Sequence, residues 1–148
     1  MRERHKVVLY VTRGDDLLVF REPDFPEVGI QPPGGTVDEG ESILEAARRE
    51  LEEETGIVDA PVFHPLGEAT FIFESDGVRH IYHRHFFHVP VTVETPAQWE
   101  RIEEKLDNGG APIRFELFWM ALAEKPHFFA ELGAKLDEFA ATMERAAA

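Results

Sequence analysis

The segment Ser42-Ile43-Leu44-Glu45-Ala46-Ala47-Arg48-Arg49-Glu50-Leu51-Glu52-Glu53-Glu54-Thr55-Gly56 has both ends of a helix written into it. Ser42 followed by Glu45 is a capping box, in which hydroxyl and carboxylate each satisfy an orphan backbone donor. Gly56 suits the left-handed stop, with Ile57 placed to close back on Leu51. Between these ends the charge runs the wrong way. The macrodipole favours acids at the N-terminus and bases at the C-terminus, yet Glu52, Glu53 and Glu54 fill the last turn. Glu50 adds like-charge pairs with Glu53 and Glu54, each costing a few tenths of a kcal/mol. A solvated acidic face is the ordinary explanation for such a run. The helical wheel argues against it. At about 100° per residue, Ile43, Ala47 and Leu51 form the apolar stripe, Glu54 falls inside it and Glu50 at its edge. Glu53 lies about 60° further round. Carboxylates crowded on the inward side call for a cation, and all-oxygen ligands suit Mg²⁺ or Mn²⁺ better than zinc.

Upstream, Pro32-Pro33-Gly34-Gly35-Thr36 predicts a tight turn that brings backbone close to a ligand, and Glu22 to Gly35 reads as a long irregular loop. Val7 to Val11 and Leu17 to Phe20 predict a strand pair around Arg13-Gly14-Asp15-Asp16. Thr70 to Phe73 and Val78 to Val89 predict a second hairpin with Asp76-Gly77 at its tip. Trp99, Ile102 and Leu106 share a helical spacing, which predicts a helix over 97–106. A loop over 108–112 and an aromatic-rich strand over 113–122 follow. From Pro126 onward, Phe128, Phe129, Leu132, Leu136, Phe139 and Met143 predict a terminal helix, weakened by Gly133. The pattern fits a mixed β-sheet between helices.

Composition narrows the function. A chain of 148 residues with 43% hydrophobic and 30% charged residues is expected to form a single domain over 1–148. Fifteen Lys and Arg against 29 Asp and Glu give a formal charge of −14, the wrong sign for gripping long nucleic acid. A small anionic ligand is still open to it, recruited by a few cations or a metal ion. No window is long and apolar enough for a membrane helix. The absence of cysteine excludes disulfides and thiolate chemistry. Met1 to Lys6 runs into apolar strand without a signal-peptide pattern, so a cytoplasmic protein is expected.

Gly35, five residues, Glu41, seven residues, Arg49-Glu50-Leu51, one residue, Glu53-Glu54, one residue, Gly56-Ile57 resembles the Nudix box without a mismatch. The resemblance implies an α/β/α sandwich with a mixed β-sheet. It also implies a pyrophosphohydrolase dependent on Mg²⁺ or Mn²⁺ and acting on a nucleoside diphosphate linked to another group. Glu50 and Glu54 would be metal ligands, joined by Glu53 directly or through water and by a carbonyl of Gly34 or Gly35. Arg49 and Glu41 would hold the glutamate rotamers. Glu53 would serve as general base, with Glu116 as the downstream alternative. The chemistry agrees: cleaving a diphosphate needs its oxygens neutralised and a water activated near neutral pH, with a carboxylate in reach of the water's proton.

Other readings compete. A Nudix-type module that binds nucleotide without hydrolysing it usually lacks box glutamates, and this box is complete. His80, His83, His85 and His88 crowd one strand; a polar sheet face is the ordinary explanation, ahead of substrate contacts and a metal site. Glu116 reads first as an outward strand residue, and Trp99, Phe115, Phe118 and Trp119 as core. The expected partner is a small nucleotide rather than long nucleic acid or membrane, and a homodimer is compatible with such a chain. The sequence patterns that mark ADP-ribose and dinucleoside polyphosphate hydrolases are not evident around Ile72 to Ser75.

Overall fold

The structure is a computed structural model that describes residues 1–103 and 110–147. In chain order it contains β1 (Arg2–Arg13), β2 (Asp16–Arg21), β3 (Gly34–Thr36), α1 (Ile43–Thr55), β4 (His64–Ser75), β5 (Val78–Pro90), β6 (Gln98–Glu103), β7 (Ile113–Ala121) and α2 (Leu136–Ala147). The sheet runs β4-β5-β1-β2-β7-β6, with β3 added on β1. β1 and β5 are parallel from Arg2/His80 to Thr12/Pro90, and the other pairings are antiparallel. This is the mixed sheet that the patterning predicts.

The continuous apolar run in β1 exists because both sheet faces are covered. Val7, Leu9 and Val11 join Leu18, Leu51, Phe87 and Leu117 in the core beneath α1. Val8 and Tyr10 join Leu17, Val19, Phe86, Leu136 and Phe139 in the core beneath α2. The Tyr10 hydroxyl donates to the Leu132 carbonyl at 2.8 Å, anchoring the segment before α2 to the sheet. α1 carries its expected ends: Ser42 and Glu45 form the reciprocal box, and Gly56 takes φ 80°. The hairpin tip between β4 and β5 puts Asp76 at φ 52° and Gly77 at φ 75°, the paired left-handed residues of a type I′ turn.

Two expected helices are corrected. In place of the helix expected over 97–106, Gln98–Glu103 is strand β6, paired antiparallel with β7; Leu106 lies outside the described residues. Ile102, counted toward an apolar helical stripe, is 57% exposed. The period is two rather than three to four, with Trp99, Arg101 and Glu103 more covered than Gln98, Glu100 and Ile102. Partners distant in sequence override local spacing here. The terminal helix begins at Leu136 rather than Pro126. Ala130 and Glu131 have φ of 52° and 60°, which no helix accommodates, and Phe129 is exposed instead of joining the stripe. Gly133 therefore precedes α2 and does not weaken it. Of the loop expected over 108–112, residues 108 and 109 lie outside the described residues; Gly110 to Pro112 are irregular.

Candidate active site

α1 packs its C-terminal half against β3 and β1, which carries Glu50 and Glu54 inward as the wheel requires. They are 5% and 7% exposed, beside Leu51 at 2%. Gly35 makes room for Glu50, and Gly34 lets β3 close on β1. A Cβ on Gly35 would stand 2.2 Å from the Glu50 carboxyl carbon, and one on Gly34 would stand 2.3 Å from the Val7 carbonyl oxygen. The Gly34 N–H also donates to Glu54 Oε1 at 2.6 Å. Gly34-Gly35, predicted as a tight turn, is instead extended backbone of β3 paired with β1; it is a cradle for carboxylates, and a side chain on Gly35 would fill it.

Arg49 organises the outer half of the cluster. Its Nε and Nη2 donate to the two oxygens of Glu41 at 2.8 and 2.9 Å, a bidentate pair. Its Nη1 donates to Glu50 Oε1 at 2.7 Å and Glu53 Oε2 at 3.0 Å, and Nη2 also reaches the Thr36 carbonyl. The guanidinium hydrogen bonds hold the Glu41 carboxyl down to about 2. Glu50 goes the other way. Burial pushes it up to about 7 against the pull of Arg49, with Glu53 and Glu103 adding repulsion. Burial, then the neighbouring Glu50 charge, raises Glu54 well above the usual carboxylate range despite the Gly34 hydrogen bond. Among the described residues, Glu50 Oε2 is the fully enclosed side-chain oxygen or nitrogen without a hydrogen-bond partner. Such an orphan acceptor costs about 1–3 kcal/mol or more. A divalent cation would satisfy it and relieve the repulsion, so the donor set fits a hard metal. Among the described residues no three His, Asp or Glu groups are already arranged around a common point. Glu53 is turned to Arg49, and it would have to leave that bond to join Glu50 and Glu54 around an ion.

The wrong-end acids have a counterpart that the sequence did not disclose. Arg101 on β6 donates to the carbonyls of Glu52 and Glu53 at 3.3 and 3.2 Å, and Trp99 Nε1 donates to the Thr55 carbonyl at 2.9 Å. β6 therefore supplies both the cation and the donors that the end of α1 lacks.

The glutamates face a cleft of about 690 Å³ lined by Arg2, Arg4, Lys6, Thr36, Asp38, Arg49, Tyr82 and Glu103 among others. A second cleft of about 190 Å³ adjoins it around Gly34, Gly35, Gln31, Tyr82 and Arg84. Gly34, Gly35, Glu50, Glu53, Glu54 and Arg49 all border the larger cleft, and Glu41 is tied to it through Arg49. Glu116 is not brought to either cleft: it lies on β7 opposite Glu100 and forms an ion pair with Arg21 at 3.2 Å. Glu103 is the carboxylate the sequence reading missed, because strand alternation on β6 was masked by helical spacing. The histidines divide between faces. His80 borders the larger cleft. His83 and His85 stack on His5 and bond to Glu3 and Glu68. His88 meets Thr12 at 2.7 Å and is driven down to about 4 by burial. No helix among the described residues is long and apolar enough to cross a membrane.

Comparison with known proteins places this geometry in a family. The chain is 34% identical over 103 residues to the m7GpppN-mRNA hydrolase NUDT17 of Xenopus laevis, covering 69% of this chain and 33% of that protein. It thus spans about a third of the length of that curated relative. Among solved structures it resembles a MutT NUDIX hydrolase from Burkholderia pseudomallei, with 22% identity, TM-score 0.63 and coverage of 93% and 98% of the two chains. It also resembles the NUDIX domain of Shewanella oneidensis NrtR, crystallised with ADP ribose, at 15% identity and TM-score 0.65 over 99% and 90%. The family model of the NUDIX domain matches residues 2–136, and the chain belongs to the NUDIX family.

Proposed function

We propose that the protein is a divalent-metal-dependent pyrophosphohydrolase that cleaves a diphosphate linkage in a small nucleotide. The single observation carrying this reading is the pair of buried carboxylates, Glu50 and Glu54, cradled by Gly34-Gly35 with one enclosed oxygen unpartnered. Glu50 and Glu54 are the metal-holding residues, with Glu53 beside them and a Gly34 or Gly35 carbonyl completing the set. When bound, Mg²⁺ or Mn²⁺ supplies charge neutralisation for the diphosphate and acidifies a water.

The chain's own residues do the rest. Arg49, clamped by Glu41, fixes the Glu50 rotamer and holds Glu53 at the cleft wall. Glu53, 59% exposed at its side chain, is open to solvent and suited to take the water's proton. Glu103 is a further carboxylate on the cleft wall. Glu116, neutralised by Arg21, keeps only an ion-pair role. The relative that acts on capped mRNA agrees with a substrate built around a nucleotide diphosphate linkage, and the −14 charge favours a small one.

A screen for phosphate and pyrophosphate release over nucleoside triphosphates, dinucleotides, nucleotide sugars and cap analogues, with Mg²⁺ or Mn²⁺, tests this. The expected result is turnover that chelation abolishes and Glu54→Gln destroys. Nucleotide binding without turnover across the screen would contradict it and favour a non-hydrolysing sensor.

A further inference from the structure

The cleft that the glutamates border is also lined by a row of cations. In the parallel β1–β5 ladder Lys6 is the direct cross-strand partner of Arg84, Arg4 of Tyr82, and Arg2 of His80. Alternate residues of a strand share a face, so Arg2, Arg4 and Lys6 line one wall. At its inner end Lys6 and Arg84 border the smaller cleft beside Gly34, Gly35 and Glu54. Like charges directly opposite each other destabilise a sheet.

Arg84 makes that arrangement more demanding still. It is 5% exposed, and a guanidinium does not shed its proton. Its Nη1 donates to the Ala130 carbonyl, and its plane lies over the Phe71 ring at 4.5 Å. Glu131 acts on it electrostatically, but among the described residues no carboxylate forms an ion pair with it. The remaining donors of the fork have no protein acceptor among those residues. They are not sealed in either, since the enclosed atom without a partner is Glu50 Oε2; they open to the cleft. The Lys6 ammonium donates to Thr36 Oγ1 at 2.5 Å and sits 4.6 Å from the Tyr82 ring centre. A buried cation without an ion-pair partner is costly, and a guanidinium fork and an ammonium that border one cleft suit the oxygens of a phosphoryl group.

We propose that Lys6 and Arg84 form a phosphoryl-binding subsite next to the glutamate cluster, so that the preferred substrate carries a phosphoryl group beyond the diphosphate linkage cleaved there. The binding claim stands on Lys6 and Arg84 alone, whereas the substrate claim rests on the hydrolase reading.

Two arms separate these claims. In chelator, without divalent metal, inorganic tripolyphosphate is titrated by calorimetry into wild type, Arg84→Gln, Lys6→Gln and Glu54→Gln. Wild type is expected to bind, with each cation variant weakened about tenfold or more, the loss of one charge-assisted contact. Glu54→Gln is expected to bind as well as wild type or better. Should Arg84→Gln fail to fold, the half-buried Lys6 carries the same test. No binding by wild type, or unchanged affinity in Lys6→Gln, overturns the subsite. In the second arm, with Mg²⁺, KM for a nucleoside triphosphate should rise about tenfold in Lys6→Gln while KM for a nucleoside diphosphate sugar stays level. Equal changes for both substrates overturn the substrate claim. Absence of all turnover contradicts the hydrolase reading, and the first arm then still decides the subsite.

Discussion

Glu41 and Glu50 touch the same guanidinium and end in opposite states. Glu41 takes two of the Arg49 donors at 2.8 and 2.9 Å and is held down to about 2. Glu50 takes one at 2.7 Å, is buried against Gly35, and is pushed up to about 7. A full bidentate pairing outside the cradle outweighs desolvation; a single hydrogen bond in a closed cradle beside Glu54 does not. One corner of the site is electrostatically complete and the other is left short of positive charge. That contrast separates the residues that hold the site in shape from those that are poised for a cation.

The contrast breaks hardest at the short-handed corner. Glu54→Gln or Glu50→Gln should abolish metal-dependent turnover, a loss well beyond the roughly 10–100-fold typical of changes in supporting contacts. Gly35→Ala should match them with every glutamate intact, because its methyl group would occupy the Glu50 carboxylate's place; kinetics together with a metal titration would check this. Retained activity in Gly35→Ala would mean that the cradle is incidental. Glu53→Gln should lower kcat by about 10²–10⁴-fold while leaving metal affinity closer to wild type, with Glu103→Gln as the comparison and Glu116→Gln nearly silent. At the complete corner, Arg49→Ala should cost about 10–100-fold, and its effect should appear in the metal activation constant.

The smallest effect concerns pH and has opposite signs at the two corners. For Glu50 the folded value of about 7 exceeds the ordinary 4.5, so the metal-free fold binds the proton more tightly than the unfolded chain. Its contribution is fully present below about 4.5 and is lost as pH rises through about 7. For Glu41 the folded value of about 2 lies below 4.5, so its contribution is present above 4.5 and is lost as pH falls toward 2. In chelator, Glu50→Gln should flatten the melting-temperature profile between pH 4.5 and 7, and Glu41→Gln should flatten it below 4.5.

The helix and its charge anomaly were legible because they are local. Ser42, Glu45 and Gly56 announce the ends of α1, and the 100° turn alone puts Glu50 and Glu54 inward. The alternation of Val7 to Val11 between two cores also follows from the strand period. What escaped notice depends on contacts between distant segments. β6 exists because its backbone pairs with β7 and its Trp99 and Arg101 cap the end of α1; nothing within 97–106 outweighs a helical spacing. The late start of α2 follows from the left-handed turn at Ala130 and Glu131, held to the sheet through the Arg84 bond to the Ala130 carbonyl. The Lys6–Arg84 pair needed the parallel register of strands almost eighty residues apart.

Mn²⁺ binding to the glutamate cluster tests the central claim most directly, measured through melting temperature in wild type and in Glu50→Gln/Glu54→Gln. A ligand that binds only the native state stabilises it by about 2.7 kcal/mol at a hundred times its Kd. The metal-free double variant should melt higher than metal-free wild type near neutral pH, because the burial and mutual repulsion that oppose ionisation of Glu50 and Glu54 are gone. Wild type should rise with Mn²⁺ concentration, and the double variant should not respond. A wild-type melting temperature unmoved by millimolar Mn²⁺, or an equal rise in both proteins, would contradict the account.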